Sequence, residues 1–248
     1  MGDPISAFPS FEAQSAQARR KQELYPRTSL EVLQIRWTPF GVLASCIEIV
    51  EDPRDPASAC RPYMTSNIAD SISTQSITEP PVSSITVRQA DIEMGGDMFL
   101  EAHIEHADDD NPSAIWEEAP VSEEAKQRGE TPSEKLMQCC GIRRPRKSPT
   151  LTVLPTAKSF VTVGDYIAQV HPWLQTLRDE IIFCRNLMEG AFIDLDTPLY
   201  VRLFNLSTLS LDEEDSGTGS NSMGLWEAVS KVVRERGAIT SSTNPHAI

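Results

Sequence analysis

The side chains best suited to covalent chemistry lie in one segment, Val163 to Glu189, where His171, Cys184, Asp165 and Asp179 offer a base, a nucleophile and orienting acids. A working Cys–His pair must lie within hydrogen-bond reach. On one straight helix the interval from His171 to Cys184 sets the two about 220° apart, on nearly opposite faces. Cys184 also falls on an apolar row, which marks it as a buried structural thiol. His171 directly precedes Pro172 and reads as a helix-junction residue. An enzyme of unknown class, with a site near His171 completed by Asp165 or Asp179 and a loop group, is therefore the alternative reading.

A second gathering, Glu101, His103, Glu105, His106 and Asp108 to Asp110, has metal-competent groups. His103 and His106 would be neighbours on a helix, but no His-Glu-x-x-His spacing is present. A solvated acidic linker is the plainer reading, and no metal or cofactor is expected. The five cysteines contain no Cys-x-x-Cys pair. The glycines match neither a phosphate loop nor a dinucleotide fingerprint.

A third cluster is cationic: Arg143, Arg144, Arg146 and Lys147, followed by Ser148-Pro149. Such a cluster can be read by a nuclear import receptor, with Ser148 as a phosphorylation site beside it. Acylation of the adjacent Cys139-Cys140, with the cations on an anionic leaflet, is a further option.

The elements that must position these groups start with the helix itself. Val163, Ile167, Val170, Leu174, Leu177, Ile181, Cys184 and Met188 recur at spacings of four and three. The phase is kept across Pro172, so one kinked helix and two helices in line are both open. Thr162 and Asp165 suit an acidic capping box. Tyr166, Trp173 and Leu187 widen the stripe, which favours packing in the chain's own core. A partner-binding role for the same face would rest on Ile167, Trp173, Leu174, Leu177 and Ile181.

Elsewhere, Leu30 to Trp37 and Val42 to Val50 flank a Pro and Gly turn and predict a β-hairpin. Ser84 to Gln89 predicts a brief strand and Asp97 to Ala107 a short helix. Leu151 to Pro155 and Leu199 to Leu206 predict strands, and Gly224 to Arg236 a last helix stopped by Gly237.

Composition sets the frame. The 248 residues are 40% hydrophobic and only 6% aromatic, with 18 Pro and a net charge of −14. That charge disfavours direct nucleic-acid binding, which needs an excess of Lys and Arg. Residues 101 to 130 hold ten acidic and two basic side chains, a block that repels itself. Met1 to Phe11 lacks the apolar segment of a signal peptide, and no apolar run is long enough to span a bilayer. A cytoplasmic or nuclear location is expected.

The resulting expectation is an α+β fold with extensive disorder. It comprises a tail at 1–27, an N-terminal β-hairpin at 28–51, a largely disordered acidic and Ser-rich linker at 52–148, a C-terminal α+β unit at 149–237 and a tail at 238–248. The C-terminal unit carries the helices and one or two strands, and the hairpin can join it as one discontinuous domain. The expected function is that of a non-enzymatic interaction or regulatory protein. Its unknown protein partner would be bound by the C-terminal helical unit. A nuclear transcription-related factor targeted through Arg143 to Lys147 is the other alternative.

Overall fold

A computed structural model of the chain describes residues 8–23, 25–105, 107, 111–118, 128–129, 134–189, 198–214 and 224–242. The fold is mixed α+β, with several small sheets and, among the described residues, five α-helices: α1 (Phe11–Lys21), α2 (Leu43–Cys46), α3 (Ala90–His103), α4 (Val163–Glu189) and α5 (Leu225–Ser242). The chain divides into two compact units. One is built from Met1–Ala90, Pro149–Arg178 and Asp194–Ile248, the other from Asp91–Ser148 and Asp179–Ile193.

In the first unit, Ile47–Val50 is the centre of a three-stranded antiparallel sheet between Ile35–Trp37 and Cys60–Pro62. Ile47, Ile49, Ile35 and Trp37 are buried, while the alternate residue Glu48 is exposed, the period-2 pattern of a half-buried strand. The strands are shorter than the sequence suggests. Val32–Gln34 is a 3₁₀ turn. Leu43–Cys46 is a single helical turn, because the continuous apolar run Val42-Leu43-Ala44 has no two-faced alternation to hold it extended.

A second sheet centres on Ile85–Gln89, antiparallel to Leu151–Val153 and parallel to Thr208–Leu209. The strand expected at Leu199 to Leu206 is extended only over Leu199–Val201, where it pairs with Leu211–Glu213. Helix α5 packs Leu225, Trp226, Val229 and Val233 on Leu33. It runs through Gly237 rather than stopping there, since an interior Gly weakens a helix by about 1 kcal/mol without breaking it.

The largest departure concerns the stretch from residue 52 onward. Ile72, Ile77, Val82, Ile85 and Val87 are buried, Thr78–Glu79 pairs with Arg27–Thr28, and the stretch is organised, not a mobile linker, over its described residues to 105. Its apolar residues are few, but each is placed where a short strand or turn delivers it inward. Helix α3, which lies in the second unit from Asp91 on, begins at Ala90, earlier than the expected Asp97. Phe99, Ala107, Leu136 and Cys139 form a small core. The central strand Glu134–Cys139 pairs with Ile115–Glu118 and Ile142–Arg143. His106, Asp108 to Asp110 and residues 215 to 223 lie outside the described residues.

Helix α4 is one continuous helix with Pro172 inside it. Its start is a reciprocal capping box. The Asp165 amide donates to Thr162 Oγ1 (3.1 Å), and the Thr162 amide donates back to Asp165 Oδ2 (3.0 Å). Val170 and Leu174, either side of the proline, are both fully buried, so tertiary packing holds the helix where Pro removes a hydrogen bond.

Candidate binding groove

The helix that dominates the sequence is committed inward. Ile167, Leu174, Leu177 and Ile181 are buried, and Trp173 is half-buried. Four of the five expected partner-binding side chains therefore serve the chain's own packing, as the width of the stripe requires.

His171 is buried too, and both its ring nitrogens are occupied. Trp37 Nε1–H donates to His171 Nδ1 (3.2 Å), and Nε2 lies 3.0 Å from the Gly41 carbonyl. The indole can only donate, so Nδ1 accepts and the proton sits on Nε2. Gln175 completes the arrangement, donating to the Pro39 carbonyl (2.6 Å) and accepting from the Gly41 amide (3.3 Å). The group pins the turn 38–41 to α4. Asp165 is likewise taken, by Thr156 and Thr162, and Cys184 lies in the second unit with its thiol pushed up to about 12 by burial. His171 is thus a structural anchor rather than a poised base.

The cationic cluster is folded against α4 in the second unit. The Arg143 guanidinium donates to both Glu180 oxygens (2.9 and 2.7 Å) and lies 3.9 Å from the Phe183 ring centre. The Arg146 amide also donates to Glu180 (2.7 Å). Burial opposes charge on Glu180, but these bonds outweigh it and hold its carboxyl below the usual range. The Arg144 amide donates to the Met137 carbonyl (2.6 Å), Lys147 is exposed and Ser148 half-buried. His103 is buried, stacked on Phe99, with Nδ1 donating to the Phe99 carbonyl (2.8 Å). No group of three metal-competent side chains occurs among the described residues.

A different place gathers exposed recognition chemistry. In the first unit a groove of about 750 Å³ is lined by Phe11, Glu12, Ser15 and Arg19 of α1, by Tyr25 and Pro26, by Thr86 and Arg88, and by Asn205 and Ser207. The local sequence explains each wall. Ser10 caps α1, its hydroxyl accepting from the Ala13 amide (3.1 Å). The Phe11 amide donates to the Ser84 carbonyl (2.9 Å), and Glu12 accepts from the Thr86 amide (2.7 Å), so α1 lies along the strand. Within Ile85–Gln89 the buried residues are Ile85, Val87 and Gln89, which turns Thr86 and Arg88 to the groove side. Asn205 shapes the far wall by accepting from the Ser207 amide (3.2 Å) and hydroxyl (2.9 Å), and the Arg88 amide donates to the Ser207 carbonyl (3.0 Å).

Two guanidiniums, of Arg19 and Arg88, and the Glu12 carboxylate line the groove beside the half-exposed Tyr25 ring. Guanidinium forks bind carboxylate or phosphate through paired hydrogen bonds, and Tyr adds a flat apolar surface with a polar tip. Sequence reasoning missed this groove. Its lining comes from three stretches far apart in the chain, and the one local signal is the alternation that sets Thr86 and Arg88 on a common face.

Comparison with protein-family models, with characterised proteins and with solved structures finds no match for this chain. Among the described residues no helix is long and apolar enough to cross a membrane.

Proposed function

We propose that the protein is a non-enzymatic interaction protein that binds an extended acidic peptide segment in the groove between α1 and the Ile85–Gln89 strand. The observation that carries this is the placement of Arg19 and Arg88 along one cleft of an otherwise strongly acidic chain. The lining is linear: Phe11 to Arg19 spans about 12 Å of helix, the length of three or four extended residues. Donors from Ser15, Arg19, Thr86 and Arg88 line the same cleft, which suits carboxylates spaced along a strand. The five free cysteines suit a reducing compartment, cytoplasm or nucleus.

The test is an NMR titration of the isotopically labelled full chain with a pentaglutamate peptide, and with pentalysine as control. Pentaglutamate should shift the amides of Arg19, Thr86, Arg88 and Ser207, and pentalysine should not. The double substitution Arg19→Glu, Arg88→Glu should weaken binding at least roughly tenfold, the loss of one or two charge-assisted bonds, with the rest of the spectrum preserved. Shifts centred instead on Arg143 to Lys147, or unchanged affinity in the double variant, would sink the proposal.

A further inference from the structure

Cys139 and Cys140 close the turn between the Glu134–Cys139 strand and the Ile142–Arg143 strand, in which Cys139 is the register partner of Ile142. Cys140 and Gly141 are then the two central residues of a hairpin turn, with φ of 52° and 77°. That turn favours Asn-Gly, and a Cys at its first central position is unusual. The conformation has a consequence for the side chains. Adjacent residues of a strand point to opposite faces, whereas the left-handed backbone at Cys140 brings its sulfur 3.8 Å from Cys139 Sγ.

The two thiols differ in access. Cys140 is exposed, and Cys139 is fully buried in the core with Phe99, Ala107 and Leu136. Burial and the neighbouring sulfur both push the Cys139 thiol up, so the outer sulfur is the one that reacts first with anything in solution. An accessible attacking thiol backed by a second thiol at van der Waals distance is the arrangement of an entering and a resolving cysteine.

We propose that Cys139 and Cys140 form a vicinal dithiol site that closes reversibly to a disulfide by exchange with a small-molecule disulfide. In the first step the Cys140 thiolate attacks one sulfur of the small disulfide, forming a mixed disulfide and releasing one thiolate. In the second, Cys139 gives its proton to water and attacks the Cys140 sulfur, expelling the other thiolate. The two cysteines are oxidised, and the small disulfide is reduced to two thiols. Cα atoms of neighbouring residues are about 3.8 Å apart, shorter than the span disulfides normally bridge, so the closed form is strained and easily reopened by thiols. The site therefore responds to the thiol–disulfide balance around it and does not lock as a structural crosslink.

The full chain is incubated natively with glutathione disulfide, unfolded in acid-quenched denaturant, alkylated there with a maleimide, digested and read by mass spectrometry. The peptide holding both residues should lose two hydrogens and both alkylations, and regain them after brief treatment with reduced glutathione. Accumulation of a stable glutathione adduct on Cys140, or a bridge from Cys140 to any other cysteine, would overturn the proposal. Cys140→Ser, at an exposed turn position, gives the second arm. Its Cys139 should stay reduced over the same incubation, and modification of Cys139 as fast as Cys140 reacts in the unaltered chain would remove Cys140 as the point of entry.

Discussion

At Asp165 one carboxylate takes four hydrogen bonds, from the amides and hydroxyls of Thr156 and Thr162, at 2.5 to 3.0 Å. Burial alone would raise its pKa, yet these donors outweigh burial and hold it below the usual aspartate value. A depressed folded-state pKa contributes stability that is present above the unfolded value, about 3.9, and is lost as pH falls through the folded one. Asp165→Asn should cost about 1–3 kcal/mol at pH 7. Urea unfolding of both proteins from pH 7 down to pH 2 checks this: the gap between them should shrink below about pH 4. A gap independent of pH would mean that the charge is not what the site holds. Half of this cluster was legible in the sequence, because Thr162 and Asp165 are one helical turn apart. Thr156 lies beyond that turn and was not. His171 shows the same limit: Trp37 and Gly41 are more than a hundred residues away in the chain, so no local pattern distinguishes an anchored histidine from a free one.

At the scale of elements, α3 and α4 meet in the second unit where Gly95 faces Cys184. A Cβ built on Gly95 would lie 2.5 Å from Cys184 Cβ and 3.2 Å from its Cα, whereas nothing lies within 4 Å of one on Gly96. The neighbouring glycines are indistinguishable in sequence and opposite in role. Gly96→Ala should stabilise by about 0.5–1 kcal/mol through helix propensity. Gly95→Ala gains the same propensity but must push α4 backbone aside, and overpacking of that kind costs about 1–3 kcal/mol. Denaturant midpoints of the two variants should therefore move in opposite directions, and parallel shifts would reject the close crossing. The helical row of α4 was readable because eight apolar positions share one face. The groove between α1 and the Ile85–Gln89 strand was not, since it exists only once strand and helix are brought together by backbone bonds such as Phe11 to Ser84.

At the scale of the whole molecule, the contested region is the Ser- and Thr-rich stretch after residue 52. Composition counts how much apolar surface a segment owns, and by that measure this one cannot offset its chain entropy. It does not count who shares the core. Ile72, Ile77 and Val82 are nearly fully buried, in a unit that also contains Val161, Val163 and Tyr166. The backbone ties run the same way: the Ile77 amide donates to Val161, the Val161 amide to Val82 and the Val163 amide to Gln75, at 2.9 to 3.1 Å. Segments far apart in sequence thus complete one another's hydrogen bonding, and neither is satisfied alone. Amide hydrogen exchange of the full chain tests this directly. The amides of Ile77, Val161 and Val163 should be protected together, by roughly a thousandfold or more over unfolded peptides, because they open only when the shared core opens. Ile77→Ala should release all three at once, since one buried isoleucine is worth about 2–5 kcal/mol to the cooperative unit. If Ile77 exchanged at free-peptide rates while Val163 stayed protected, the middle of the chain would be a linker after all, and the start of α4 would have to find its stability without it.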